Sequence, residues 1–282
     1  MVGVDREGVG AGRPQFVVAD ATADAIGVGA TVTLDEGAAR HMRVLRLEVG
    51  AVVGVRDGQG HVGAGQVVRL SKTHAHVEIT EAVRVAPLPP VHLLVPVADR
   101  DRMLWLAEKA AELGATSWRP VLWRRSRSVS PRGEGVSFLA KVRARMEGAL
   151  AQSEGAWLPQ LFPEANLERA ILAAPSGERI VLDPAGEPLI GEPLISEPLI
   201  GAPFRAPIVL AVGPEGGLEA DEIAELEQAG FQRRSLGPTI LRFETAAIGA
   251  LAIARTALGR GTEATDESTD ESTGERTDGS DD

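Results

Sequence analysis

The chain of 282 residues contains no cysteine. That excludes disulfides, leaves nothing to argue for a zinc site, and makes a reducing compartment the natural setting. It also lacks any long apolar run. The amino terminus, MVGVDREGVGAGRP, has glycines and charges where an export signal needs apolar residues. The most apolar helical stretch, Ala246 to Ala254, is stopped by Arg255 and is too short to span a bilayer. These absences predict a soluble, cytoplasmic protein with no membrane partner. At 44% hydrophobic residues the chain can bury a substantial core, and its length suggests two domains.

A basic excess is missing too. The net charge of -11 argues at first against a nucleic-acid partner, but its distribution reverses that reading. The segment from Arg260 to Asp282 carries nine acids and two arginines, -7 in all, leaving -4 for the other 259 residues. Its Thr/Asp/Glu/Ser repetition has nothing to bury, so a disordered acidic tail is expected over 260–282.

What is present falls into two rhythms. From Gln15 to Ala86, short β-branched runs broken by glycine (QFVV, ATVTL, AVVGVRDGQGHVGAGQVVRL, HAHVEITEAV) predict a small β-barrel or sandwich over 15–86. Within it, EGAARHMRVLRLEVG supplies a short basic helix bearing Arg40, His41, Arg43 and Arg46. The linker APLPP follows. Over 91–259, apolar strands (VHLLVPVA, SWRPVLW, RIVLD, PIVLAVG) alternate with helices near 100–113, 137–152, 219–229 and 244–258. That alternation predicts an α/β domain with a mainly parallel sheet. The Glu-Pro-Leu-Ile repeat at 186–204 interrupts it; proline at every fifth position forbids a helix or central strand, so an extended insertion is expected.

The stretch AVGPEGGLEADEI, residues 211–223, reads as a strand end, a glycine turn and a helix start. It lacks the Gly-Lys-Ser/Thr ending of a phosphate loop and the G-x-G-x-x-G of a dinucleotide site. Glu219, Asp221 and Glu222 suit the positive end of a helix and would repel a phosphate placed there. The turn is built for close backbone approach to something else. A second strand, Gly-Pro turn and helix start follows in SLGPTILRFETAAIGALAIARTALG, 235–259. Two such loops at strand ends of one sheet can line one crevice.

VGPEGGLEADEI together with LGPTILRFETAA resembles the SPOUT methyltransferases, specifically the RsmE family of 16S rRNA uracil-N3 methyltransferases. HMRVLRLEVG resembles the family's PUA-like RNA-binding domain, and EKAAELGATSWRPVLWRRS its first catalytic-domain helix and second strand. The resemblance spans roughly 15–258, apart from the repeat. It implies an α/β trefoil knot behind a PUA-like β-barrel, a homodimer whose sites are completed by the partner, and S-adenosyl-L-methionine held between the two loops. By matching positions it implies cofactor contacts from Val212, Gly213, Pro214, Gly216 and Gly217, and from Leu236, Gly237, Ile240, Leu241, Thr245 and Ala246. The implied reaction methylates N3 of a specific uridine in 16S rRNA of the small ribosomal subunit, with no metal. N3 is a poor nucleophile until its proton leaves, so the site must stabilise an anionic base and align the reacting atoms. Arg242 is the candidate for that stabilisation. Glu215 and Glu244 are candidate proton acceptors or orienting groups, Glu244 serving equally well as a helix-start acid.

For the RNA itself, residues 119–145 hold eight basic residues and one acid, with Trp118 and Trp123 interleaved. Such a stretch can neutralise phosphates and stack unpaired bases, and Arg124, Arg125 and Arg127 are the expected contacts. Trp105, off the apolar Met103/Ala107/Ala110 face, joins them as an RNA or partner contact. Arg40, His41, Arg43 and Arg46 form a second cluster, with His41 structural or RNA-contacting rather than catalytic. Phe243 stands where threonine is usual in the family, and two further departures bear on function: Asp99 replaces a basic residue after the first strand, and AQSEGAW replaces a run containing arginine. They support the alternative of an RNA-binding knot protein that has lost catalysis.

Overall fold

The computed structural model describes residues 8–18, 25–128, 133–190 and 204–260. The expected disordered tail beyond Arg260 and residues 191–203 of the repeat lie outside them. Two sheets are formed. The first comprises β1 (Gln15–Val17), β2 (Thr31–Leu34), β3 (Val52–Arg56), β4 (His61–Leu70) and β5 (Ala75–Arg84), ordered β1-β3-β4-β5-β2. β1 runs parallel to β3 and the other pairs are antiparallel. Alternation builds its core: Val32 and Leu34 of β2 turn inward while Thr31 and Thr33 face solvent. α1 (Glu36–Val44) starts at Asp35, whose carboxylate accepts from Ala38 N at 2.8 Å. It buries Ala39 and Met42 on one face, which leaves Arg40, His41 and Arg43 exposed.

The second sheet contains β6 (Val91–Pro96), β7 (Ser117–Val121), β8 (Gln160–Leu161), β9 (Glu178–Pro188), β10 (Ile208–Val212) and β11 (Gln232–Ser235). Its order is β11-β9-β10-β6-β7-β8 and every pair is parallel. α2 (Arg100–Glu112), α3 (Val136–Ser153) and α6 (Phe243–Arg260) share one core with Leu93 and Leu210. α4 (Leu167–Leu172) and α5 (Ala220–Gln228) share another with Leu94 and Val209. Adjacent strand residues thus enter different cores, and a strand covered on both faces, like IVLAV of β10, is apolar throughout. On α6, Ala247, Ala250 and Ala254 are buried, and these small side chains let the helix approach closely.

The sheets are joined where Gly60 N donates to Ala156 O and Leu158 N donates to Gly58 O, each at 2.9 Å. The linker is pinned by Arg255, which donates to the carbonyls of Pro89, Leu113 and Gly114. Burial pulls its guanidinium down to about 10.

Two expectations need correction. Trp118 and Trp123, read as base-stacking residues, are 0% and 1% exposed and lie in the two cores on opposite faces of the sheet. An aromatic residue in or beside an inner parallel strand is taken up by packing, whatever the charges around it. The first repeat unit also departs from the extended insertion: Gly186, Glu187 and Pro188 end β9. Pro188 is tolerated because β9 there has run past its pairing with β10, which stops at Leu182, and pairs only with the edge strand β11. Asp99, a departure from the family pattern, caps α2: its carboxylate accepts from Arg102 N at 3.0 Å.

Candidate active site

A cleft of about 240 Å³ opens beyond the carboxyl ends of β10 and β11 and beside the middle of β9. The first loop crosses it after β10. Its turn closes with Gly217 N donating to Pro214 O at 2.8 Å, and Gly217 sits at φ 75°, where a side chain would be strained. α5 then begins with its acids already engaged. The buried Glu222 carboxylate accepts from Glu219 N at 2.9 Å and from Arg124 N at 2.8 Å. Arg124 also pairs with Asp221. Arg125 places Nε and Nη2 on the two Glu219 oxygens at 2.8 and 3.1 Å, and Nη1 on the Gly216 carbonyl. The Glu219 carboxylate holds the Arg125 guanidinium above its usual pKa. Both arginines belong to the 3₁₀ turn Arg124–Ser128, which follows β7.

The second loop, 236–242, is the opposite wall. Gly237 has φ 139°, Ile240 is 87% exposed and Leu241 is 38% exposed. Among the described residues, the N–H groups of Gly237, Thr239, Ile240 and Leu241 make no hydrogen bond to another backbone group. Phe243 and Ala246, at the start of α6, close the floor.

Of the expected cofactor residues, Val212, Gly213, Pro214 and Gly217 line the cleft from the first loop, and Leu236, Gly237, Ile240, Leu241 and Ala246 from the second. Gly216 and Thr245 do not. Gly216 lies under the Arg125 side chain, and Thr245 is exposed on α6. Glu215 lines the cleft, whereas Arg242 is exposed outside its lining. Glu244 is 6% exposed and off the lining, and its Oε2 has no partner among the described residues. Its Oε1 stands 3.9 Å from Arg102 Nε, and Arg102 Nη1 donates to Glu215. One guanidinium on the first turn of α2 therefore serves both candidate carboxylates. Sequence reasoning missed Arg102, and also Leu182, Asp183 and Pro184 in the middle of β9, where its pairing with β10 ends. The rule that placed the two loops at strand ends applies equally to RIVLDP and could have found that third wall.

The site belongs to a region with clear relatives. Residues 85–255 match the family model of an RNA methyltransferase domain, and residues 34–80 that of an RNA methyltransferase PUA domain. The ribosomal RNA small subunit methyltransferase E of Synechocystis is 31% identical, over 80% of this chain and 73% of its own length. The chain belongs to the ribosomal RNA small subunit methyltransferase E family. The crystal structure of the family member from Neisseria gonorrhoeae bound to S-adenosyl methionine is 29% identical, with a TM-score of 0.74 over 86% of this chain and 97% of that one. A Legionella pneumophila structure in complex with bound SAM is 25% identical, with a TM-score of 0.72 over 87% and 98%. The fold seen here is thus the family's: a PUA domain followed by a SPOUT-type methyltransferase domain.

Away from the cleft, Arg40, His41, Arg43 and Arg46 are all exposed on or beside α1, and the His41 ring meets Phe16 edge-on at 5.8 Å. Trp105 is 48% exposed on α2. Arg119, counted in the basic stretch, instead lies over the Phe162 ring at 4.3 Å, and burial lowers its pKa. The side chain of Arg127 lies outside the described residues. No helix among the described residues is long and apolar enough to cross a membrane.

Proposed function

We propose that this protein uses S-adenosyl-L-methionine to methylate N3 of one uridine in the 16S rRNA of the small ribosomal subunit, acting as a cytoplasmic homodimer with a knotted catalytic domain. The observation that carries the reading is the cleft itself. Glycine backbone lines one wall, Gly237, Thr239, Ile240 and Leu241, whose N–H groups have no backbone acceptor among the described residues, belong to the other, and Val212, Leu236 and Phe243 give it apolar surface. That donor set fits a nucleoside base recognised by its edge and a thioether chain. The acidic start of α5 and the absence of a phosphate-loop lysine fit a ligand without phosphates. The cofactor residues are the cleft-lining set above, with Gly216 and Thr245 acting through the loop and helix that carry them.

When bound, the cofactor supplies a methyl carbon on a positively charged sulfur. The chain's own residues prepare the base. Glu215 takes the proton from N3, held in position by Arg102. Arg242 donates to the oxygens that carry the resulting negative charge. Glu244, buried against Arg102, supports that arginine. Arg40, His41, Arg43, Arg46 and Arg127 supply phosphate contacts, whose share of the affinity falls with salt.

The test is mass mapping of modified uridines in 16S rRNA from cells with and without the gene. It is joined to in vitro reactions on naked rRNA and on small subunits, and to calorimetry with the cofactor. A single methyl at N3 of one uridine, gained only with the protein present, is the expected result. RNA binding without cofactor binding would instead identify a knot protein that has lost catalysis.

A further inference from the structure

Arg125 is one of the cations read from sequence as a phosphate contact, yet its guanidinium is already committed. Two of its nitrogens span the Glu219 carboxylate at 2.8 and 3.1 Å, and the third donates to the carbonyl of Gly216. These acceptors flank the exit of the first loop, Glu219 being the N-cap residue of α5. The base of the side chain is equally well held. Trp123, two residues earlier, and Ser126, one residue later, are each 1% exposed, and Ser126 N donates to Trp123 O at 3.0 Å. The turn that carries Arg125 is therefore rooted in the core.

Gly216 gives an independent observation. It does not line the cleft, and its backbone is not in the left-handed region that requires glycine. A Cβ there would lie 3.1 Å from Arg125 Cδ and 3.2 Å from Arg125 Cβ. The arginine stem passes close across this residue, and a Cβ there would press on it. Arg124 repeats the attachment next door, with its N–H on Glu222 and its guanidinium on Asp221.

We propose that Arg125 is a positioning residue of the first cofactor loop: its fork, seated on Glu219 and Gly216, sets the loop's shape from the side away from the cleft. The inference rests on the cleft's being the S-adenosylmethionine site. A loop held in its binding shape has less freedom to lose when the ligand arrives, so the clamp acts on affinity. Exposed ion pairs contribute little to global stability, so melting should barely change. Only the planar fork can bridge a carboxylate and a carbonyl together; lysine keeps the charge and loses the second attachment.

Calorimetric titration of S-adenosylmethionine into the RNA-free protein tests this. Arg125→Ala should weaken binding about tenfold, the scale of one or two charge-assisted hydrogen bonds, while Arg125→Lys falls between it and the parent. Glu219→Gln should weaken binding similarly. Combined with Arg125→Ala it should cost little more than either alone, since both changes remove one interaction. The exchanged pair, Arg125→Glu with Glu219→Arg, should recover part of the loss, and melting temperatures of all variants show that they are folded. Unchanged cofactor affinity in Arg125→Ala, with a raised KM for RNA, would overturn the proposal and return Arg125 to the phosphate contacts. Additive effects of the two single changes would also sink it. A parent protein that binds no cofactor at all would instead remove the function reading, and this inference with it.

Discussion

The two cofactor loops look alike in sequence, VGPEGGLE and LGPTILRFE, and each follows a strand of one parallel sheet. The structure treats them differently. The first is tied from behind by three arginines: Arg102 holds Glu215, Arg125 holds Gly216 and Glu219, and Arg124 holds Asp221. Among the described residues the second has no such ties. Arg242 makes no ion pair among the described residues, and Ile240 and Leu241 expose apolar side chains at the rim. One wall of the site is thus preorganised, and the other is left for its ligands to complete. On the proposed function, the fixed wall holds the proton acceptor Glu215, and the open wall brings Arg242 to the base once it is bound.

Arg242→Ala tests that division with the largest effect. It should leave cofactor binding nearly intact while lowering single-turnover rates by about two to three powers of ten, the scale of one electrostatic contact to the developing charge. Arg242→Lys should fall between, and raised pH should partly rescue the alanine variant because hydroxide then helps to deprotonate N3. A loss confined to RNA affinity would make Arg242 a phosphate anchor and move the chemistry to the first loop. Gly217→Val comes next. A branched side chain at φ 75° is strained, and its Cβ would lie 3.7 Å from Arg125 Nη1. Cofactor affinity should therefore fall by about one to two powers of ten with the fold retained. Equal affinity in titrations would remove the first loop from the site.

Arg102→Ala should have a smaller effect, roughly tenfold on the rate at saturating substrates, because it releases Glu215 without removing it. It also strips Glu244 of its nearest cation, which should cost about 1–2 kcal/mol of stability in denaturant unfolding. Glu215→Gln in the Arg102→Ala background should add little to the rate loss; independent effects would mean that the two do not act together.

The smallest effect lies at the other end of the sheet, which contributes to neither loop. His92 on β6 bonds Ser117 Oγ at 2.8 Å, and burial together with the charge of Arg255 lowers its pKa below the ordinary 6.5. The unfolded chain therefore binds a proton near pH 6.5 that the folded chain takes up only at lower pH. Stability from this group is present above pH 6.5 and is lost as the pH falls towards the folded value. His92→Gln should flatten that part of the stability curve, measured by urea unfolding, and leave methyl transfer unchanged.

Much of the fold was legible because its signals are local. Apolar periodicity and Gly/Pro punctuation predict α2, α3, α5 and α6 to within two residues at each end. α4 and β8, with six and two residues, are too short to show a period. The site was legible where backbone shape is the function, since glycines and prolines in those loops announce themselves. It was not legible where a side chain's partner is remote in the chain. Arg102 reaches Glu215, 113 positions away, and Arg125 reaches Glu219, 94 positions away.

By itself, then, the sequence determined that strands and helices alternate, that two glycine loops face one crevice, and that the first loop carries acids where a phosphate loop carries lysine. Those properties follow from the conformational range of each residue and from charge close by along the chain. Only the tertiary structure decided which arginines stay exposed and which hold a loop, what crowds Gly216, and why Trp118 and Trp123 are core. Those outcomes depend on which distant elements share a face of the sheet. Composition along a segment carries no record of that, because an exposed Arg-Trp run and a buried one are written with the same residues.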